Sequence, residues 1–100
     1  MKIQNLEKAS QSKLIPADKL VCVYFTSTDQ KINFPIACSK TDIFAEIEEK
    51  LYKEYPEYRE TNNYFINNGK QVIRFKTIGE NKIENGRPVM LVVPSDEDNN

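Results

Sequence analysis

The sequence predicts an α+β domain in which one amphipathic helix covers one face of a mixed sheet of about four to five strands. Three observations point there. The apolar run "LVCVYF" (20–25) and the alternating run "INFPIAC" (32–38) flank the turn-forming "TSTDQK". A single helical stripe follows, with Phe44, Ile47 and Leu51 at i, i+3 and i+7. Further short strand-like segments come after it, so the element order reads β-β-α-β-β-β.

Residues 1–19 lack sustained periodicity, because Leu6, Leu14 and Ile15 are isolated in polar sequence and Pro16 stops any helix from running on. They read as a tail with room for one helical turn. The first two strands then form a hairpin, and Pro35 in the second places it at a sheet edge, where a missing N–H is tolerated. The helix is expected over 41–54: Ser39 or Thr41 caps it, Asp42 favours its positive end, and Pro56 lies beyond its stop. "NYFIN" (63–67) reads as a strand, Asn67-Asn68-Gly69 as a turn, and "KQVIRF" (70–75) as a second, shorter strand. Val72, Ile73, Phe75, Ile78 and Ile83 look like a chain wrapping a small core, with "TIGENKI" as a compact loop. "ENGR" turns through Gly86 into "PVMLVV" (88–93), apolar enough for a central strand. The acidic "PSDEDNN" (94–100) has nothing to bury, so the folded unit is expected over 20–93.

Composition narrows the function classes. The 100 residues suit one domain, and 14 basic against 15 acidic residues leave a net charge of −1, too little field to gather nucleic acid or an anionic membrane. No run approaches the roughly 20 apolar residues a membrane span needs, and residues 1–12 lack a signal-type apolar stretch, so a cytosolic or nuclear protein is expected. Cys22 and Cys38 have neither metal-ligand spacing nor disulfide-scaffold density, and read as reduced thiols.

The order of elements resembles the β-grasp fold, and the second half resembles ubiquitin in particular. The likeness covers about 20–93. It rests on "GKQ" at 69–71, Val72, the "TI" pair at 77–78, "NKI" ending at Ile83 and the last strand at 88–93, all spaced as in ubiquitin, and on the spacing of Phe44, Ile47 and Leu51. Two departures qualify it. No glycine follows Gly86, so conjugation through a C-terminal Gly-Gly is not expected; and "TSTDQK" lacks the apolar residue that ubiquitin carries in its first turn.

The resemblance implies a protein-binding surface at Ile66, Gly69, Lys70, Met90 and Val92. Strand alternation supports the geometry: Val89, Leu91 and Val93 should face the helix, leaving Met90 and Val92 on the opposite side. The alternative is a face covered by the N-terminal tail.

Other chemistries find little support. "NNGKQ" lacks the second glycine and the Ser/Thr of a phosphate loop, and a strand follows it rather than a helix. The chain has no histidine, both cysteines sit in apolar runs, and Glu46, Glu48, Glu49 and Glu54 read as a solvated helix face with Glu46–Lys50 and Glu49–Lys53 pairs. No enzymatic activity and no cofactor are expected. Tyr52, Tyr55, Tyr58 and Tyr64 read as packing around the helix end, and Lys70, Arg74 and Lys76 as a solvated edge rather than an RNA site. The expectation is a ubiquitin-like interaction module or adaptor, monomeric alone or bound within a hetero-complex. The alternatives are a structural subunit docked through its tails, and a Ras-association-like domain pairing its edge strand with a GTPase, although "INFPIAC" carries no basic residue.

Overall fold

The computed structural model describes residues 15–94; of the tails expected at 1–19 and 94–100, residues 1–14 and 95–100 lie outside them. Five strands, β1 (Leu20–Ser27), β2 (Asn33–Ser39), β3 (Tyr64–Asn67), β4 (Lys70–Gln71) and β5 (Pro88–Val92), form one sheet in the order β2-β1-β5-β3-β4. β1 pairs antiparallel with β2 and parallel with β5, while β3 is antiparallel to both β5 and β4. The helix α1 (Phe44–Glu54) packs across one face. This is the predicted mixed sheet with one helix.

Alternation decides which side chains enter the core. On β1, Val21, Val23 and Phe25 are buried while Cys22, Tyr24 and Thr26 between them are not, and β5 repeats the pattern with Val89 and Leu91. From α1 come Phe44, Ile47 and Leu51. Phe25, Phe44 and Phe65 meet edge to face, with ring centroids 6.0, 5.6 and 5.1 Å apart, the arrangement that aromatic quadrupoles favour. Val93, expected to face the helix, is exposed because β5 ends at Val92.

α1 begins at Phe44, not near 41, and neither Ser39 nor Thr41 caps it with a side chain. Those residues instead form a tight turn in which the Ser39 N–H donates to the Asp42 carboxylate (2.9 Å) and the Thr41 N–H to Ser39 Oγ (3.2 Å). The first helical N–H groups are satisfied from elsewhere: Phe44 donates to the Lys76 carbonyl (2.9 Å) and Ala45 to that of Arg74 (3.1 Å). The same attachment corrects the strand expected over 70–75. The strand stops at Gln71, with one further bond from the Val72 N–H to the Phe65 carbonyl (2.8 Å), because the chain beyond turns its carbonyls to the helix start. Ile78 N–H then donates to Asp42 (2.8 Å) and Gly79 N–H to Lys40 (2.9 Å). At Gly79 a Cβ would lie 3.3 Å from the Lys40 carbonyl oxygen, so this approach favours glycine.

Ala17–Lys19 form one 3-10 turn, and the Lys40 N–H donates to the Lys19 carbonyl (2.8 Å). With Gly86 N–H donating to the Cys22 carbonyl (2.8 Å), that bond fixes parity across the sheet. Odd residues of β1 turn their peptide groups toward β2, and even residues toward β5. On β2 the peptide groups of Asn33, Pro35, Ala37 and Ser39 therefore face the open edge. Pro35 has no N–H there, as its edge position predicts, and the Ser39 N–H is occupied by Asp42.

Candidate functional site

The outer face of the sheet, opposite α1, carries the residues left over by alternation. Ile66 of β3 stands directly across from Met90 of β5, and Tyr64 from Val92. On the other side of β5, Met90 registers with Thr26 and Pro88 with Tyr24 of β1. Met90 is 39% exposed, and Ile66 and Val92 are half-buried. None of these side chains is charged, so the centre of the face is continuous and uncharged from β1 to β3. Cys22, Tyr24, Thr26 and Pro88 extend the patch beyond the residues named from sequence; the period-2 alternation of "LVCVYF" carried that signal.

Gly69 and Lys70 sit at its border. Asn67 pairs with Lys70, leaving Asn68 and Gly69 as a two-residue loop with φ of 54° and 79°. Positive φ at both positions is the type I′ geometry that suits the twist of a hairpin, and it explains the Asn-Gly sequence. Register places Gln71, not Lys70, beside Ile66. Lys70 lies opposite Asn67, whose side chain is buried on the helix side, so Lys70 is an exposed rim residue at the hairpin end rather than part of the apolar face.

The expected basic edge is dismantled by an ion pair. Arg74 Nε donates to both Glu48 carboxylate oxygens at 2.8 and 2.9 Å, and its second nitrogen reaches the carbonyl and side-chain oxygens of Asn63. Tyr52 Oη donates to the same carboxylate at 2.5 Å. Glu48 is therefore buried, not on a solvated face as the helix pattern suggested, because Arg74 and Tyr52 supply the donors its charge requires. Burial opposes the charge on Arg74, but Glu48 outweighs it and holds the guanidinium pKa above its ordinary value. Burial, reinforced by Glu48, pushes the Tyr52 hydroxyl up to about 12. Arg74 also lies over the Phe65 ring at 5.4 Å. The expected i,i+4 pairs do not form; Glu49 binds Arg59 instead, at 2.7 Å.

A second polar cluster holds the first hairpin. Ser27 Oγ and Tyr58 Oη each donate to Asp29 at 2.5 Å, and the Ile32 N–H donates to Ser27 Oγ at 3.0 Å. The Ser27 and Tyr58 hydrogen bonds lower the Asp29 pKa, and burial followed by Asp29 pushes Tyr58 up to about 12. Tyr52 and Tyr58 thus pack at the helix end as predicted, each with a carboxylate partner. Burial drives the Cys38 thiol up to about 12, which keeps it protonated and inert.

Ile73 and Phe75 depart from expectation. Phe75 is 86% exposed and Ile73 49%, whereas Val72, Ile78 and Ile83 enter the core as predicted. The Asn81 side chain holds this segment outward, its Oδ1 accepting from the Ile73 N–H at 2.8 Å and its Nδ2 donating to the Ile73 carbonyl at 2.9 Å. Among the described residues no group of three Cys, Asp or Glu side chains is arranged to hold a metal ion. A groove of about 470 Å³ beside Leu20, Lys40 and Lys82 mixes both charge signs without a paired acid and base.

No protein-family model matches the sequence, and no curated protein sequence does. Solved structures do match. A de novo design based on ubiquitin superposes with a TM-score of 0.64 at 19% identity, covering 78% of this chain and 93% of the design. The N-terminal ubiquitin-like domain in the 4931431F19Rik protein, solved in solution, gives a TM-score of 0.58 at 15% identity, covering 77% of each chain. At these identities similarity speaks to architecture, and with the strand order, the one α-helix among the described residues and the Gly69 hairpin it establishes that this chain has the ubiquitin-like β-grasp fold.

Proposed function

We propose that the domain is a protein-interaction module that binds through the outer sheet face, with Ile66, Met90 and Val92 at the centre and Gly69 and Lys70 at the rim. The observation that carries this reading is the direct opposition of Ile66 and Met90 on a solvent-facing, uncharged strip. Such a strip excludes water from a partner's apolar side chains, while polar groups at the border orient it. The partner is a protein, and the domain acts without catalysis or cofactor, in the cytosol or nucleus, alone or as a subunit of a hetero-complex.

Pairing of β2 with a partner strand is the weaker reading. Of the outward peptide groups on that edge, Pro35 offers no donor and Ser39 is already bonded, so an added strand would find few N–H groups. A pull-down from cell extract comparing wild type with Ile66→Asp and Met90→Asp tests the face, with circular dichroism verifying the fold. Loss of the same bound proteins from both variants is expected. Their undiminished retention by folded variants would sink the proposal, and retention lost only on changing Ala37 would favour the β2 edge.

A further inference from the structure

Two Asn-Gly pairs occur in the sequence, Asn68-Gly69 and Asn85-Gly86, and the fold treats them differently. Asn85 is clasped: its Oδ1 accepts from the Cys22 N–H at 2.7 Å, and the Gly86 N–H donates to the Cys22 carbonyl at 2.8 Å. Both the side-chain amide and the following backbone nitrogen are thereby tied to β1. Asn68 has neither restraint. Among the described residues no hydrogen bond ties its side chain, which is exposed, and the Gly69 N–H has no backbone partner outside the strand ladder. Both residues are exposed, and a Cβ at Gly69 would meet nothing within 4 Å.

We infer that Asn68 is a site of spontaneous deamidation and isomerisation through its own neighbour, Gly69, while Asn85 is protected by its attachment to β1. The Gly69 nitrogen, losing its proton to hydroxide, bonds to the Asn68 Cγ. The Cγ–Nδ2 bond then breaks and ammonia leaves, closing a succinimide ring. Water opens that ring at either carbonyl: attack at Cγ restores the normal chain with an aspartate, and attack at the backbone carbonyl leaves an isoaspartyl link through Cγ. Water is the sole co-reactant. Glycine after the asparagine matters because no side chain hinders the attack. The required excursion is confined to the hairpin end: it loosens the Asn67–Lys70 pair and at most the Ile66–Gln71 pair, while the Val72 N–H bond to the Phe65 carbonyl (2.8 Å) further along can stay in place.

Either product places a negative charge next to Lys70. The isoaspartyl product also inserts a backbone carbon into a two-residue turn whose dihedrals fix the register, so the β3–β4 pairing beside Ile66 should be lost. The site is thus a slow chemical clock at the border of the outer face.

The test is to age the full chain at mildly alkaline pH, natively and in guanidinium chloride, and to follow both asparagines by peptide mass spectrometry. Isoaspartate is scored by methyl transfer from S-adenosylmethionine with an isoaspartyl methyltransferase. In the native chain Asn68 should convert at least roughly tenfold faster than Asn85, because two hydrogen bonds must break before Asn85 can react; in denaturant the two rates should converge. Equal native rates, or an intact Asn68 over an interval in which the denatured chain converts at both positions, would overturn the inference. A rate ratio unchanged by denaturation would also overturn it, by showing that sequence and not the fold sets the difference.

Discussion

Arg74 and Glu48, 26 positions apart, meet through a single guanidinium nitrogen that bonds both carboxylate oxygens at 2.8 and 2.9 Å. The pair joins the middle of α1 to the segment leaving β4, and Arg74 in turn reaches Asn63 at the entry to β3. Removing one partner strands the other. Glu48→Ala or Arg74→Ala should each lower unfolding stability by about 1–3 kcal/mol, below the cost at a fully dry site because Arg74 is partly exposed. Urea denaturation of both single variants and the double variant gives the coupling, and additivity across the cycle would disprove it.

Phe65 is the hub of the aromatic trio, within 5.6 Å of Phe25 and 5.1 Å of Phe44 between centroids. Phe65→Ala leaves a cavity walled by rigid rings and should cost about 3–5 kcal/mol, whereas Phe65→Leu should cost clearly less. Thermal and chemical denaturation of the two variants distinguishes them; equal losses would mean that the site collapses around the gap.

Acid and alkali should each attack the hairpin clasp. The folded Asp29 pKa lies below its ordinary 3.8, so its contribution is present above that value and fades as pH falls through the lower folded pKa. Tyr58 behaves oppositely: its pKa is raised from 10.0 to about 12, so its contribution holds below pH 10 and is lost as pH climbs toward 12. Urea midpoints recorded against pH should show a shallower acid limb in Asp29→Asn and a shallower alkaline limb in Tyr58→Phe. Unchanged limbs would remove these groups from the pH response.

Pro35 lacks the N–H at the middle outward position of the β2 edge, between Asn33 and Ala37. Pro35→Val restores a donor and a strand-favouring side chain without touching the core. Sedimentation at rising concentration should reveal self-association in the variant and less in the wild type; identical behaviour would show that proline is not what guards this edge.

Much of this architecture is readable in one dimension because period-2 and period-3.6 patterns are local. Val21, Val23 and Phe25 announce β1, and Phe44, Ile47 and Leu51 announce α1, without knowledge of what they touch. The segment from Val72 to Phe75 alternates like a strand, yet the Arg74 carbonyl, and that of Lys76 just beyond it, bond Ala45 and Phe44, a pairing about thirty residues away that no local pattern encodes. The start of α1 is obscured for the same reason. Its expected caps, Ser39 and Thr41, bond within a turn while distant carbonyls satisfy the helix. At the outer face, alternation alone separates Met90 and Val92 from Val89 and Leu91. The tethering of Arg74 by an ion pair is invisible in sequence, since it depends on Glu48 being turned inward.

The parallel pairing of β1 with β5 sets the order in which this chain can acquire structure. The first strand to emerge from a ribosome must wait for the last, since Phe25 meets Val89 and Ser27 meets Leu91 only after nearly the whole domain has been made. Until then β1 has β2 alone, and a lone hairpin is marginally stable in water. Folding should therefore be slowed by these distant contacts and cooperative, with a nascent chain stopped short of β5 lacking the centre of its sheet.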